Sequence, residues 1–143
     1  MFDFLKKKNE KYLDNDDQLL SKTASLLIHA AKMDEKYSEV EKQIIKKTVL
    51  ELGCKTETID KILIEAEKNE ANSNQILDFT REIKNSDEKF KIKLIEALWK
   101  IIFSDNNEDM YESSLMRRLS GLLYLDNKTV GDIKEKVKKE LNK

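Results

Sequence analysis

A chain of 143 residues with 27 Lys plus Arg against 28 Asp plus Glu has a net charge of −1. It therefore has no field to steer nucleic acid or a strongly anionic surface. With no proline, three glycines and one cysteine it excludes an internal disulfide and lacks most of the turn chemistry that sheets and hairpins require.

The length fits one domain, large enough to bury roughly 70% of its unfolded surface. Charged residues make up 38% and mean hydropathy is −0.66, yet the 39% hydrophobic residues recur at regular spacing, as in a folded chain with a charged surface. These features predict an all-α fold in a reducing, cytoplasmic compartment, with Cys54 as a small apolar filler. No stretch reaches the roughly 18 apolar residues of a spanning helix, and no apolar run near the start has signal-peptide length.

Residues 1–15 read as an N-terminal tail and 16–143 as one helical domain. In the tail, Met1, Phe2, Phe4 and Leu5 precede Lys6, Lys7 and Lys8. Two readings stay open there: a docked or loose tail, and contact with an anionic surface that would make the protein peripheral to the inner membrane.

From Asp16 to Met33, Leu20, Ala24, Leu27 and Ala31 mark a first long helix. After DEKY, the run SEVE opens a second helix with Ser38 and Glu41 spaced as a capping box, and that helix ends near Gly53. Thr56 or Thr58 is positioned to cap a third, carrying Ile59, Ile62 and Ala66. A shorter fourth carries Ile76, Phe79 and Ile83. The segment Phe90–Phe103 leaves little polar face and predicts a central helix buried on most sides. A helix through Leu115, Met116, Leu119 and Leu122, and a last one with Val130, Ile133, Val137 and Leu141, complete a bundle of about seven.

A shift of 71 residues places Leu27 on Leu98, Asp34 on Asp105, Glu41 on Glu112, Leu52 on Leu123, Thr58 on Thr129 and Ile62 on Ile133, without a gap. Lys46 and Lys47 fall on Arg117 and Arg118. Shared helical periodicity accounts for part of such a match. The common order of helix, acidic turn, capped helix, turn and helix points to a duplication, with halves of about 16–70 and 87–141 and a pseudo-twofold bundle.

Both acidic turns, DEKYSEVE at 34–41 and DNNEDMYE at 105–112, contain Asp-x6-Glu. Ser38 with Glu41, and Asp109 with Glu112, occupy N-cap and N3 positions, where a carboxylate also meets the positive end of the helix dipole. The second reading gathers oxygen ligands for a hard cation such as Ca²⁺ or Mg²⁺. Asp105, Asn107 and Asp109 even sit at positions 1, 3 and 5 of a calcium loop. An EF-hand is excluded, because Met110 replaces its glycine and Met116 its bidentate Glu. Capping alone, and capping with a weak divalent site, both remain open. Zinc has only His29 and Cys54, 25 positions apart. No enzyme is expected: the lone histidine has no visible partner, and no Gly-rich phosphate loop occurs.

The segments LLIHAAKMDEKYSEVEKQII (26–45) and IEALWKIIFSDNNEDMYESSLMRRLSGLL (95–123) resemble the twin segments of the bacterial tellurite-resistance TerB family, in its small stand-alone branch. Trp99, Asp105, Tyr111, Glu112, Arg117, Arg118 and Gly121 carry the more specific part, and the resemblance covers about residues 17–141. It implies about seven helices with internal pseudo-twofold symmetry, acidic metal-binding residues, and a role in stress response or as an interaction module near membranes. Carried over, the metal set is Asp34, Glu41, Asp105 and Glu112; the rival reading is a structural interaction domain without metal, in which Arg117, Arg118 and their lysine counterparts form the surface for a protein partner. The sequence departs at Glu35 and Asn106, where the family has Gly, and at His29 and Lys100, where relatives often have Glu. A cationic group there opposes a hard cation.

Overall fold

Each apolar stripe at helical spacing forms a helix. The computed structural model describes residues 15–33, 37–73, 76–104 and 110–141. Among these, seven helices and no strand occur: α1 (Asn15–Lys32), α2 (Glu39–Glu51), α3 (Ile59–Ala71), α4 (Leu77–Ile83), α5 (Glu88–Ser104), α6 (Met110–Leu122) and α7 (Asn127–Leu141). The tail read over 1–15 lies, up to residue 14, outside the described residues.

Helix starts follow local polar chemistry. Asp87 Oδ1 accepts from the Phe90 amide at 2.8 Å, and Asp126 Oδ1 accepts from the amides of Lys128 and Thr129 at 2.8 and 3.2 Å. The expected threonine cap of α3 is not made. Thr58 stands at the N-cap position, but its backbone is αR and its hydroxyl donates back to the Lys55 carbonyl at 3.2 Å. That geometry turns the oxygen away from the amides of the first turn.

Helix ends α2 and α6 are closed by the same motif, one 71-residue shift apart. The Cys54 amide donates to Val49 O and that of Leu125 to Ser120 O, at 3.2 and 2.8 Å. Gly53 donates to Leu50 O and Tyr124 to Gly121 O, at 3.1 and 3.3 Å. The residue in the left-handed region is Gly53 in the first case (φ +114°) and Tyr124 in the second (φ +58°). Gly53→Ala is expected to lose about 1–2 kcal/mol, because only glycine reaches that φ without a Cβ clash. Tyr124→Gly should stay within about 1 kcal/mol of wild type. There, relief of backbone strain is offset by a freer unfolded chain and a lost ring contact with Lys91. Urea midpoints at unchanged slope read both values.

Buried residues from all seven helices join one core. As expected, α5 is enclosed, with Leu94, Ile95, Leu98, Trp99, Ile101 and Ile102 buried. Helix α1 proves equally central: it packs against α2, α3, α4 and α5, most extensively against α3. Its stripe reads narrower in the sequence because Ser21, Thr23 and Ser25 count as polar there, yet all three are buried. Thr23 Oγ1 donates to Leu19 O at 2.8 Å, while Ser25 Oγ bridges Ser21 O and, across the helix pair, Ala66 O. Satisfied in this way, small hydroxyls let α1 and α3 approach closely.

The 71-residue shift also carries burial with it. Positions 20, 23, 24, 26, 27, 28, 30 and 31 of α1 are buried, and so are 91, 94, 95, 97, 98, 99, 101 and 102 of α5. Ile59, Ile62 and Ala66 of α3 likewise match Val130, Ile133 and Val137 of α7. The bounds of α2, moved by 71, are those of α6. No helix of the described residues is long and apolar enough to cross a membrane.

Candidate acidic-turn site

The first acidic turn leads from α1 to α2, and its residues 37–41 are among those described. Ser38 is extended (φ −76°, ψ 164°) and closes a full capping box: its Oγ accepts from the Glu41 amide at 3.2 Å. In return, Glu41 Oε1 accepts from both the Ser38 amide and the Ser38 hydroxyl, each at 2.9 Å. The Glu at N3 therefore does what the sequence implies.

The other oxygen is not explained by capping. Glu41 is fully buried, and its Oε2 has no hydrogen-bond partner among the described residues. A buried acceptor left bare costs about 1–3 kcal/mol, and more when it carries charge. With no partner among the described residues, such an atom is open to a cation or an enclosed water. The donor is a hard oxygen, and it fits a Ca²⁺- or Mg²⁺-type ion.

Asp34, Asp105 and Asp109 lie outside the described residues, as does the side chain of Glu112, although Glu112 itself falls in the first turn of α6. Among the described residues, no three His, Cys, Asp or Glu side chains converge as a metal site. His29 turns away from such a role. Its Nδ1 lies 3.5 Å from Glu70 Oε1 and its ring centre 6.1 Å from that of Phe79, while Lys32 Nζ lies 2.8 Å from Glu70 Oε2. Arg117 and Arg118 are exposed on α6. Their counterpart Lys47 is exposed, whereas Lys46 lies 3.8 Å from Asp60.

Tyr37, next to the cap, reports a negative surrounding that the sequence did not reveal. Its hydroxyl is pushed up from 10.0 to about 12, first by burial and then by Glu67, Glu41, Glu39 and Glu70. Lys42 and Lys32 answer from the ring, at 5.1 and 6.0 Å from its centre. Glu67 and Glu70 belong to α3, so they reach Tyr37 only through the packing of α3 against α1, whose last turn holds His29 and Lys32 beside Glu70.

A raised folded pKa means that stability is fully present below pH 10 and is lost as pH rises towards 12. Two pH units would be ~2.7 kcal/mol, but the side chain is only partly buried and screening reduces this to about 1 kcal/mol. Between pH 10 and 12, wild type is expected to lose that much more stability than Tyr37→Phe, measured by denaturant melts beside a phenolate absorbance titration.

A family model described as "Tellurite resistance protein TerB" matches residues 20–135 of the 143-residue chain. The chain belongs to the TerB family. No curated protein and no solved structure matches it. The TerB match runs from within α1 through most of α7, so the capping box, Glu41 and the second acidic turn all lie inside the TerB region.

Proposed function

We propose that this TerB chain is a non-enzymatic module that takes a divalent cation, Ca²⁺ or Mg²⁺, weakly at its acidic turns and acts by contacting a protein partner. The observation that carries the reading is Glu41 Oε2, buried and unpartnered among the described residues beside a turn that also holds Asp34. By the 71-residue correspondence, Asp105 and Glu112 would hold a second ion. Stress response, tellurite resistance among it, is the setting that family membership suggests.

A non-enzymatic role is supported by the two groups that could serve as nucleophile and base. Burial pushes the Cys54 thiol up, away from the thiolate a nucleophile needs, and His29 is engaged with Glu70. Calorimetric titration of metal-free protein with Ca²⁺, Mg²⁺ and Zn²⁺ tests the cation. Heat with Ca²⁺ or Mg²⁺ and a higher melting temperature are expected. No heat up to about 1 mM, together with no change on adding chelator, would overturn it.

The exposure of Arg117 and Arg118 favours a second reading, a metal-free interaction domain in the cytoplasm. Pull-downs that survive Asp34→Asn and Asp105→Asn but fail on Arg117→Ala with Arg118→Ala would select it. Peripheral attachment to the inner membrane through residues 1–8 is tested by liposome sedimentation with and without them.

A further inference from the structure

Between α4 and the end of α6 runs a shallow groove of about 160 Å³ whose floor is apolar and whose rim is basic. Helix α4 and its C-cap contribute Leu77, Arg81 and Lys84 at i, i+4 and i+7, one face of a helix. Helix α6 and its cap contribute Gly121, Leu122 and Tyr124.

Three features mark this groove as unfinished. Leu77 is 40% exposed and Tyr124 71%, although both are large apolar side chains. Tyr124 also holds the left-handed conformation that glycine takes in the first half, so an exposed aromatic is kept where the backbone disfavours it. A Cβ on Gly121 would meet nothing within 4 Å, so the missing side chain leaves the groove floor open towards solvent.

The charge around the groove is of one sign. Arg81 and Lys84 stand on one side, and Lys91 Nζ lies 5.8 Å from the centre of the Tyr124 ring. Arg118 is three and four residues before Gly121 and Leu122, on the same face of α6. No carboxylate lines the groove among the described residues; the acids of α4, Asp78 and Glu82, line an adjoining hollow that shares Arg81 with it. For a chain of net charge −1 this is a local concentration of cations.

We infer that the α4–α6 groove is the docking surface for an acidic amphipathic segment of a partner protein, one large apolar side chain filling the floor while flanking Asp or Glu meet Arg81, Lys84 and Arg118. The volume accepts a side chain of leucine or phenylalanine size, and complementary charge sets orientation and excludes basic sequences. The chain's own apolar start is disfavoured, because Lys6, Lys7 and Lys8 follow it directly. The inference rests on the partner-contact half of the proposed function and not on the cation.

The test is a titration of isotope-labelled full chain, in chelator, followed by amide chemical shifts. Three probes are used: a synthetic helical peptide with Leu at i, i+4 and i+7 and Glu elsewhere, its twin with Lys for Glu, and a peptide of residues 1–14. Saturable shifts centred on Leu77, Lys84, Gly121 and Leu122 are expected with the Glu peptide alone by about 1 mM. Gly121→Leu, which fills the floor, and Arg81→Glu with Lys84→Glu, which reverses the rim, should each weaken binding about tenfold or more at unchanged melting temperature. The rim variant changes exposed Arg81 and partly buried Lys84, neither of them in the core, and keeps the test valid if the glycine variant misfolds.

Absence of saturable shifts, equal response to the Lys twin, or shifts centred elsewhere would overturn the inference. So would tight binding of the 1–14 peptide, or concentration-dependent shifts of the same amides without peptide, which would make the occupant the chain itself or a second copy. Because chelator is present throughout, failure here leaves the cation reading standing, and a silent metal titration leaves the groove standing.

Discussion

Leu98→Ala is expected to remove about 3–5 kcal/mol of unfolding free energy, a large share of the 5–15 kcal/mol that a domain typically has. Leu98 is fully enclosed in α5, a helix with few polar positions and no slack at its surface, so the lost methyl groups leave a cavity that neighbours fill poorly. For a chain of this size the melting temperature should fall by roughly 10 °C. Leu27, its counterpart 71 residues earlier, is equally enclosed in α1, and Leu27→Ala should cost a similar amount.

The pair also tests whether the two halves share one core. Trp99 is buried on α5 and donates through Nε1 to Val130 O of α7 at 3.2 Å, so its fluorescence reports the second half. Far-ultraviolet circular dichroism reports all helices. If α1 and α5 belong to one cooperative unit, Leu27→Ala shifts both signals to the same lower midpoint. A Trp99 transition that stays put while the dichroism midpoint falls would show halves unfolding separately, and the single core would be wrong.

What the sequence disclosed and what it withheld divide by sequence distance. The Ser38–Glu41 box was legible because a helix start is decided by residues three apart, and its geometry follows. Helix positions were legible from Leu and Ile spacing, since each apolar stripe must find a core. The depth of α1 was not, because Ser21, Thr23 and Ser25 look polar until their hydroxyls are seen paired, those of Thr23 and Ser25 with carbonyls and that of Ser21 with the Asn69 side chain. The equivalence of Gly53 and Tyr124 was hidden for a similar reason: the backbone repeats while the side chains do not. Leu77 and Tyr124 meet across one groove although 47 positions separate them, and no pattern along the chain predicts that meeting. The Thr58 cap failed because a threonine before a helix has a competing acceptor, Lys55 O, within reach.

Glu41→Ala and Glu41→Gln are expected to part company, and their difference separates capping from ligation. Alanine removes the acceptor of the Ser38 amide and hydroxyl and leaves a small void, for a loss of about 2 kcal/mol in chelator. Glutamine keeps one carbonyl oxygen in the place of Oε1 and sets an amide nitrogen in the place of Oε2. Since Oε2 has no partner among the described residues, neutralising it forfeits no hydrogen bond there, and stability in chelator should stay within about 1 kcal/mol of wild type. With Ca²⁺ or Mg²⁺ at about 100 times its dissociation constant, wild type should gain roughly 2.7 kcal/mol by mass action. The glutamine variant should forgo this gain at the first turn and keep only what an ion at the second turn supplies, because an amide nitrogen cannot ligate a hard cation. If it gains as much as wild type, Oε2 is no ligand, and Glu41 is a capping residue only.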